Sequence, residues 1–144
     1  MQSLFEWAFP TRKSTCIGFE DVLYAIRHPD KFVLINTLPL DQQSCLVKGT
    51  LNAREEETFV NDCLTKYTAN PKRILLYGKN TCDETPYLKQ RQLLSLGISE
   101  THVYAGGMFE WLLLQDIYGK PEFATVGNED KVDLLSWAPS RYFS

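Results

Sequence analysis

Hydrophobic residues follow two patterns along the chain, short apolar runs and longer stretches with a helical repeat. The short runs are rich in β-branched and aromatic residues, which is typical of buried strands. They lie at 31–36, Cys45–Val47, Arg73–Tyr77 and Thr101–Tyr104. In the intervening stretches, apolar residues recur every three or four positions, which predicts amphipathic helices over 18–28, 54–67, 85–96 and 108–118. Because strands alternate with helices, the pattern predicts an α/β protein with a mainly parallel sheet covered on both faces.

Turn and capping residues mark the ends of these helices. Pro29 stops the first helix. Thr85 is placed to be the N-cap of the third helix, with Pro86 at its first position, and Gly97 is placed to cap its end. The acidic run 55–57 falls in the first turn of the second helix, where the helix dipole favours negative charge. We therefore interpret that run as a capped, solvated face and not as a metal site.

Length and charge narrow the class of protein. A chain of 144 residues suits a single domain, with a core over about 18–119. The tail 120–144 contains Phe123, Trp137, Tyr142 and Phe143, and we expect it to pack on that core. The formal charge of -3 argues against a general nucleic-acid binder, which would be basic.

The sequence gives no indication of export, a membrane span or a metal centre. The first residues, MQSLFEWAFPTRK, place no basic region ahead of a short apolar segment, so we expect no signal peptide. Apolar clusters such as 111–114 are too short to span a bilayer. The four cysteines form no CxxC pair, and the two histidines stand alone. We therefore expect a soluble cytoplasmic protein with reduced thiols, no metal and no cofactor.

Three segments together resemble the rhodanese-like domain. They are KFVLIN at 31–36, VKGTLNA at 47–53 and HVYAGGMFEW at 102–111. The order and spacing of these segments match the family over about 18–118. The resemblance implies a three-layer sandwich, with a mainly parallel central sheet flanked by helices. It also implies a sulfurtransferase site, in which a cysteine directly after the core strand forms a persulfide cradled by backbone amides.

The chain departs from the family pattern at the site itself. Gly78, and not cysteine, follows the core strand ending at Tyr77. Asn36 stands where the resemblance places an aspartate, Leu38 where it often places an arginine, and Leu46 where it places a histidine. These departures predict that the usual catalytic cysteine has been lost.

The loop after the core strand contains the remaining candidate residues. They are Gly78, Lys79, Asn80, Thr81, Cys82, Asp83 and Glu84. Cys82 is the candidate for a displaced nucleophile, although the two carboxylates that follow it disfavour a thiolate. Asn80 and Asp83 have side chains that close turns, and Asp83 could satisfy the amides that would otherwise hold an anion.

Two other chemistries fit the loop less well. A phosphate-binding loop requires Gly-Lys followed directly by Ser or Thr, and here Asn80 intervenes. A phosphatase of the related type would need an arginine after the cysteine, and Tyr87 occupies that region.

The sequence therefore predicts a non-catalytic binding or regulatory module, which contacts a protein partner or a second copy through the loop or the fourth helix. The alternative is a sulfurtransferase in which Cys82 takes sulfur from a small sulfur-containing anion.

Overall fold

The computed structural model describes residues 16–67, 70–127 and 133–143. Strands and helices alternate through these ranges. The strands are β1 (Cys16–Ile17), β2 (Phe32–Asn36), β3 (Cys45–Val47), β4 (Arg73–Tyr77), β5 (Thr101–Tyr104) and β6 (Thr125–Gly127). The helices are α1 (Phe19–Arg27), α2 (Ala53–Thr65), α3 (Thr85–Ser95) and α4 (Gly107–Tyr118). Short 3-10 turns follow at Leu40–Gln42 and at Leu134–Trp137, and the latter is called the C-terminal turn below.

The central sheet has four parallel strands in the order β1-β5-β4-β2. Leu75 of β4 pairs with Leu34 of β2 and with His102 of β5. The predicted α/β class with a mainly parallel sheet is thereby confirmed. Since parallel strands end at the same edge, the loops after β2, β4 and β5 meet there, as is usual for sites in α/β proteins.

Helices cover both faces of the sheet. On one face, Val22 of α1 and Trp111 of α4 pack in a buried cluster with Leu75. On the other face, Leu93 of α3 packs with Ile35 and other strand residues, and half-buried residues of α2 pack against them. The result is three layers, as the resemblance implies.

The helix ends follow the predicted capping signals in most cases. Asn52 and Glu55 form a reciprocal capping box at the start of α2, so the acidic run does serve a helix terminus. Gly97 follows α3 with a φ of 90°, a conformation that favours glycine. The predicted N-cap of α3 is wrong by one residue, because the cap is Glu84 and Thr85 is already helical.

Two short strands were not predicted, and one predicted strand lies outside the central sheet. β3 pairs antiparallel with β6 in a separate two-stranded sheet. β1 is a two-residue strand at the edge of the main sheet, next to β5. Neither β1 nor β6 is long enough to show a periodic pattern in the sequence.

The carboxyl-terminal tail packs only in part. Phe123 and Trp137 are buried in the same cluster as Trp111. The prediction is wrong for Tyr142 and Phe143, which are 89% and 81% exposed. These two rings contact each other edge to face, at a centroid distance of 4.9 Å.

None of the helices in the described ranges combines the length and apolar character that a membrane-spanning helix requires. The amino-terminal segment on which the signal-peptide prediction rests lies outside the described residues.

Candidate active-site loop

The loop 78–84 connects the end of β4 to the start of α3, at the edge of the sheet where the parallel strands end. Gly78 and Asn80 are buried, whereas Lys79 and Asp83 are half-buried. Thr81, Cys82 and Glu84 are exposed. The fold therefore brings all the predicted loop residues together, with two of them directed into the protein and three at the surface.

Gly78 occupies the first position of the loop and has no room for a side chain. A Cβ atom built there would collide with Oδ2 of Asp83 and lie 3.0 Å from Cδ of Pro86. The carboxylate of Asp83 thus fills the space that a side chain at position 78 would need. Gly78 and Asp83 therefore pack together as a complementary pair.

The Asp83 carboxylate accepts hydrogen bonds from both ends of the loop. The backbone N–H of Lys79 donates to Oδ2 at 2.8 Å, and that of Thr85 donates to Oδ1 at 2.9 Å. The Thr85 hydroxyl also donates to Oδ1, at 2.7 Å. A carboxylate among amides at a helix N-terminus is favourably placed for both hydrogen bonding and the helix dipole. The Asp83 carboxylate therefore occupies backbone amides that could otherwise bind an external anion.

Asn80 holds the middle of the loop. Its Oδ1 accepts the backbone N–H of Cys82 at 2.9 Å, and its backbone oxygen accepts that of Asp83 at 3.2 Å. Its Nδ2 donates to the carbonyl oxygen of Trp137 at 3.0 Å. Residues of the loop itself therefore supply acceptors for the amides of Lys79, Cys82, Asp83 and Thr85.

The first turn of α4 binds the beginning of the loop. The N–H groups of Met108 and Phe109 donate to the carbonyl oxygens of Gly78 and Lys79, at 2.9 and 2.8 Å. Gly107 has a φ of 65°, and a Cβ on it would lie 2.8 Å from the Gly78 oxygen. Glycine is required at position 107 by both conformation and close approach. The double glycine of the sequence motif thus has a local structural reason.

The residue that follows β2 supports both ends of the loop. Thr37 donates its backbone N–H to the Tyr77 oxygen at 2.9 Å, and its hydroxyl lies 2.8 Å from that of Thr85. Asn36, in the position where the resemblance places an aspartate, uses its Oδ1 to accept the N–H of Leu38 at 3.0 Å. Thr37 was not predicted as a residue of this site. Its position directly after a parallel strand was the signal that could have found it.

Tyr77 ends β4 beneath the loop and is fully buried. Its hydroxyl oxygen accepts the backbone N–H of Val47 at 3.1 Å and lies 2.7 Å from the Thr50 hydroxyl oxygen. Burial raises the pKa of Tyr77 far above its ordinary value, although its hydrogen bonds oppose the shift. At neutral pH this residue is therefore a neutral structural link and not an acid–base group.

Cys82 is the exposed cysteine of the loop, while Cys45 is buried and Cys16 and Cys63 are half-buried. Burial raises the pKa of the Cys63 thiol, and neighbouring Asp62 raises it further. Among the described residues, no group of histidine, cysteine or carboxylate side chains has a geometry that could hold a metal ion. The chemistry that the loop can offer therefore depends on one exposed thiol and one internal carboxylate.

Comparison with solved structures shows which fold surrounds this loop. The BH2092 protein of Bacillus halodurans superposes with a TM-score of 0.62 at 16% identity, covering 85% of each chain. The rhodanese-like domain of the Alr3790 protein from Anabaena superposes with a TM-score of 0.56 at 15% identity, over 89% of this chain and 88% of that one. The chain has the rhodanese-like fold. No protein-family model and no curated protein matches the sequence.

The rhodanese-like fold explains where the loop lies but not which residues it contains. At these identities, the likeness establishes the fold and leaves open what the site does. The order of β2, β4 and β5 and the loops at their ends agree with the resemblance seen in the sequence. The residues within the loop decide the chemistry.

Proposed function

We propose that this protein is a non-catalytic binding or regulatory module with a rhodanese-like fold. The observation that carries the proposal is the pairing of Gly78 with Asp83. Where the sequence resemblance places a nucleophilic sulfur, the chain has a buried glycine with a carboxylate packed against it. That carboxylate accepts the amides of Lys79 and Thr85.

Two physical costs oppose catalysis at this position. A bound sulfur anion would have to displace a carboxylate that already accepts three hydrogen bonds, including one from the Thr85 hydroxyl. It would also be repelled by the negative charge of that carboxylate. The loop is therefore closed and negative where an active site of this kind would be open and electropositive.

The second candidate is a sulfurtransferase that uses Cys82, and the exposure of this thiol is the observation that favours it. The Cys82 thiolate would attack the outer sulfur of thiosulfate, the sulfur–sulfur bond of thiosulfate would break, and sulfite would leave with the bond's electron pair. The persulfide would then transfer its outer sulfur to cyanide, giving thiocyanate and regenerating the thiolate. This sequence needs no further oxidant or reductant.

Intact-mass measurement after incubation with thiosulfate distinguishes the two candidates. We expect the wild-type protein to gain no sulfur atom and to release no thiocyanate when cyanide is added. A gain of one sulfur atom that disappears in Cys82→Ala but persists in Cys63→Ala would overturn the proposal. Cys63→Ala is the matched control because Cys63 is half-buried on α2, outside the loop.

We also propose that the module works by contacting another protein in the cytoplasm. Leu113 and Ile117 lie one turn apart on α4 and are 38% and 62% exposed, which gives the helix a short apolar surface stripe. None of the four cysteines forms a disulfide, as is common in a reducing compartment. Sedimentation velocity over a range of protein concentrations would show whether the partner is a second copy of the chain.

A further inference from the structure

The C-terminal turn lies against the loop through a buried contact. Trp137, the last residue of the turn, is only 8% exposed and packs in the cluster that contains Trp111 and Met108. Its carbonyl oxygen accepts the hydrogen bond from Asn80 Nδ2, at 3.0 Å. This contact joins residues that are 57 positions apart in the chain.

Asn80 uses its two side-chain ends for two different tasks. The amide nitrogen binds the C-terminal turn, and the amide oxygen binds the backbone of Cys82. The residue is 8% exposed, so water does not readily replace either partner. If the turn leaves, the nitrogen loses its acceptor and the orientation of the oxygen toward Cys82 is no longer fixed.

We propose that the C-terminal turn is a clasp that holds the loop 78–84 in its closed arrangement. The loop amides and the turn then form one cooperative unit, and displacement of the turn loosens the backbone around Cys82. This inference does not depend on whether Cys82 reacts, because it concerns only the ordering of the loop. A molecule that binds the turn would change the loop without contacting it.

The clasp makes the coupling reciprocal. If the turn stabilises the closed loop, then loss of the contact from the loop side must destabilise the turn by the same free energy. This requirement separates a clasp from a turn that is merely adjacent, since adjacency alone predicts no effect in either direction.

Hydrogen–deuterium exchange followed by mass spectrometry tests the forward direction. Trp137→Ala removes the buried anchor of the clasp without altering a loop residue. We expect amide exchange in the peptide covering 78–85 to rise about tenfold, the effect of losing one buried hydrogen bond. Leu135→Ala is the control, because Leu135 is in the same turn but 78% exposed, and it should leave exchange in the loop unchanged.

Two further variants keep the test decisive if Trp137→Ala unfolds the whole protein, which faster exchange in α2 on the opposite face would reveal. Asp133→Ala removes the cap of the turn, where Oδ1 accepts the N–H of Leu135 at 3.1 Å, and should also speed exchange in the loop. Asn80→Asp retains an acceptor for Cys82 but loses the donor to Trp137, and should speed exchange over 133–138. Unchanged exchange in the loop for Asp133→Ala, together with an unchanged turn in Asn80→Asp, would overturn the clasp.

Discussion

At the scale of single residues, the loop depends on the match between Gly78 and Asp83. The carboxylate lies where a side chain at position 78 would be, and it accepts the amides that would otherwise face an empty site. A residue without a side chain and a short acidic residue five positions later thus form a complementary pair. The sequence suggested that Asp83 could satisfy loop amides, but it could not show that Gly78 provides the space.

A double-mutant cycle tests this contact. We expect Gly78→Ala to lower the free energy of unfolding by about 1–3 kcal/mol, because the new Cβ collides with the Asp83 carboxylate and crowds Pro86. In an Asp83→Ala background the same change should cost about 1 kcal/mol less, since the collision with Asp83 is gone and only the crowding of Pro86 remains. Urea unfolding of the four proteins provides the measurement.

Gly18→Ala is the control for this cycle, because no atom lies within 4 Å of a Cβ built at position 18. Its cost should be small and the same in both backgrounds. An equal cost of Gly78→Ala with and without Asp83 would show that the two residues do not compete for space.

At the scale of elements, Tyr77 joins β4 to the segment that begins with β3. β3 is not in the central sheet, so it lacks ladder hydrogen bonds to β4. The Tyr77 hydroxyl replaces them by accepting the Val47 amide and contacting the Thr50 hydroxyl. The Tyr77 phenol therefore links the small sheet to the large one, together with the backbone hydrogen bond from Leu51 N–H to the Leu34 oxygen.

Tyr77→Phe should lower the free energy of unfolding by about 1–3 kcal/mol at neutral pH, because it leaves the buried Val47 amide without an acceptor. Tyr24→Phe, at a ring that is 48% exposed, should cost only a few tenths of that amount. Urea unfolding measures both, and equal costs would mean that the Tyr77 hydroxyl is not a link.

The same variant should change the response to alkaline pH. Burial raises the pKa of Tyr77 in the native protein, whereas the unfolded chain keeps a value of about 10. Above that pH the unfolded chain loses its proton first, the native protein holds more protons, and stability falls by about 1.4 kcal/mol per pH unit for each such tyrosine. Tyr104, whose pKa is raised by burial and by its bond to Glu110, adds a second contribution. Tyr77→Phe should remove one of the two contributions, and an unchanged slope would contradict the linkage.

The sequence predicted the central elements well because their signals are local. The apolar runs of β2, β4 and β5 and the helical repeats of α1 to α4 are long enough to show their period. β1 and β6 have two and three residues, and pairing with a distant strand is what defines them. Tyr142 and Phe143 were expected to pack on the core from composition alone, and composition does not reveal whether a ring has a partner surface.

At the scale of the whole molecule, the loop is enclosed by contributions from three distant parts of the chain. The first turn of α4 and the C-terminal turn hydrogen-bond to it, and Thr37 after β2 bonds to the flanking residues Tyr77 and Thr85. The sequence could place the loop at the edge of the sheet because parallel strands end together there. The sequence could not predict the hydrogen bond from Asn80 to the Trp137 carbonyl oxygen, because every residue has a backbone acceptor whatever its side chain.

The backbone amides of Lys79 and Thr85 are already occupied by the Asp83 carboxylate of the protein itself. The most direct test is a titration with thiosulfate, followed through the backbone amide signals of these two residues by NMR. We predict that both signals stay unmoved in the wild-type protein and shift saturably in Asp83→Ala, where the amides at the start of α3 become free to bind an anion. Saturable shifts of both signals in the wild-type protein would contradict this prediction, because they would show that thiosulfate reaches the amides that Asp83 occupies.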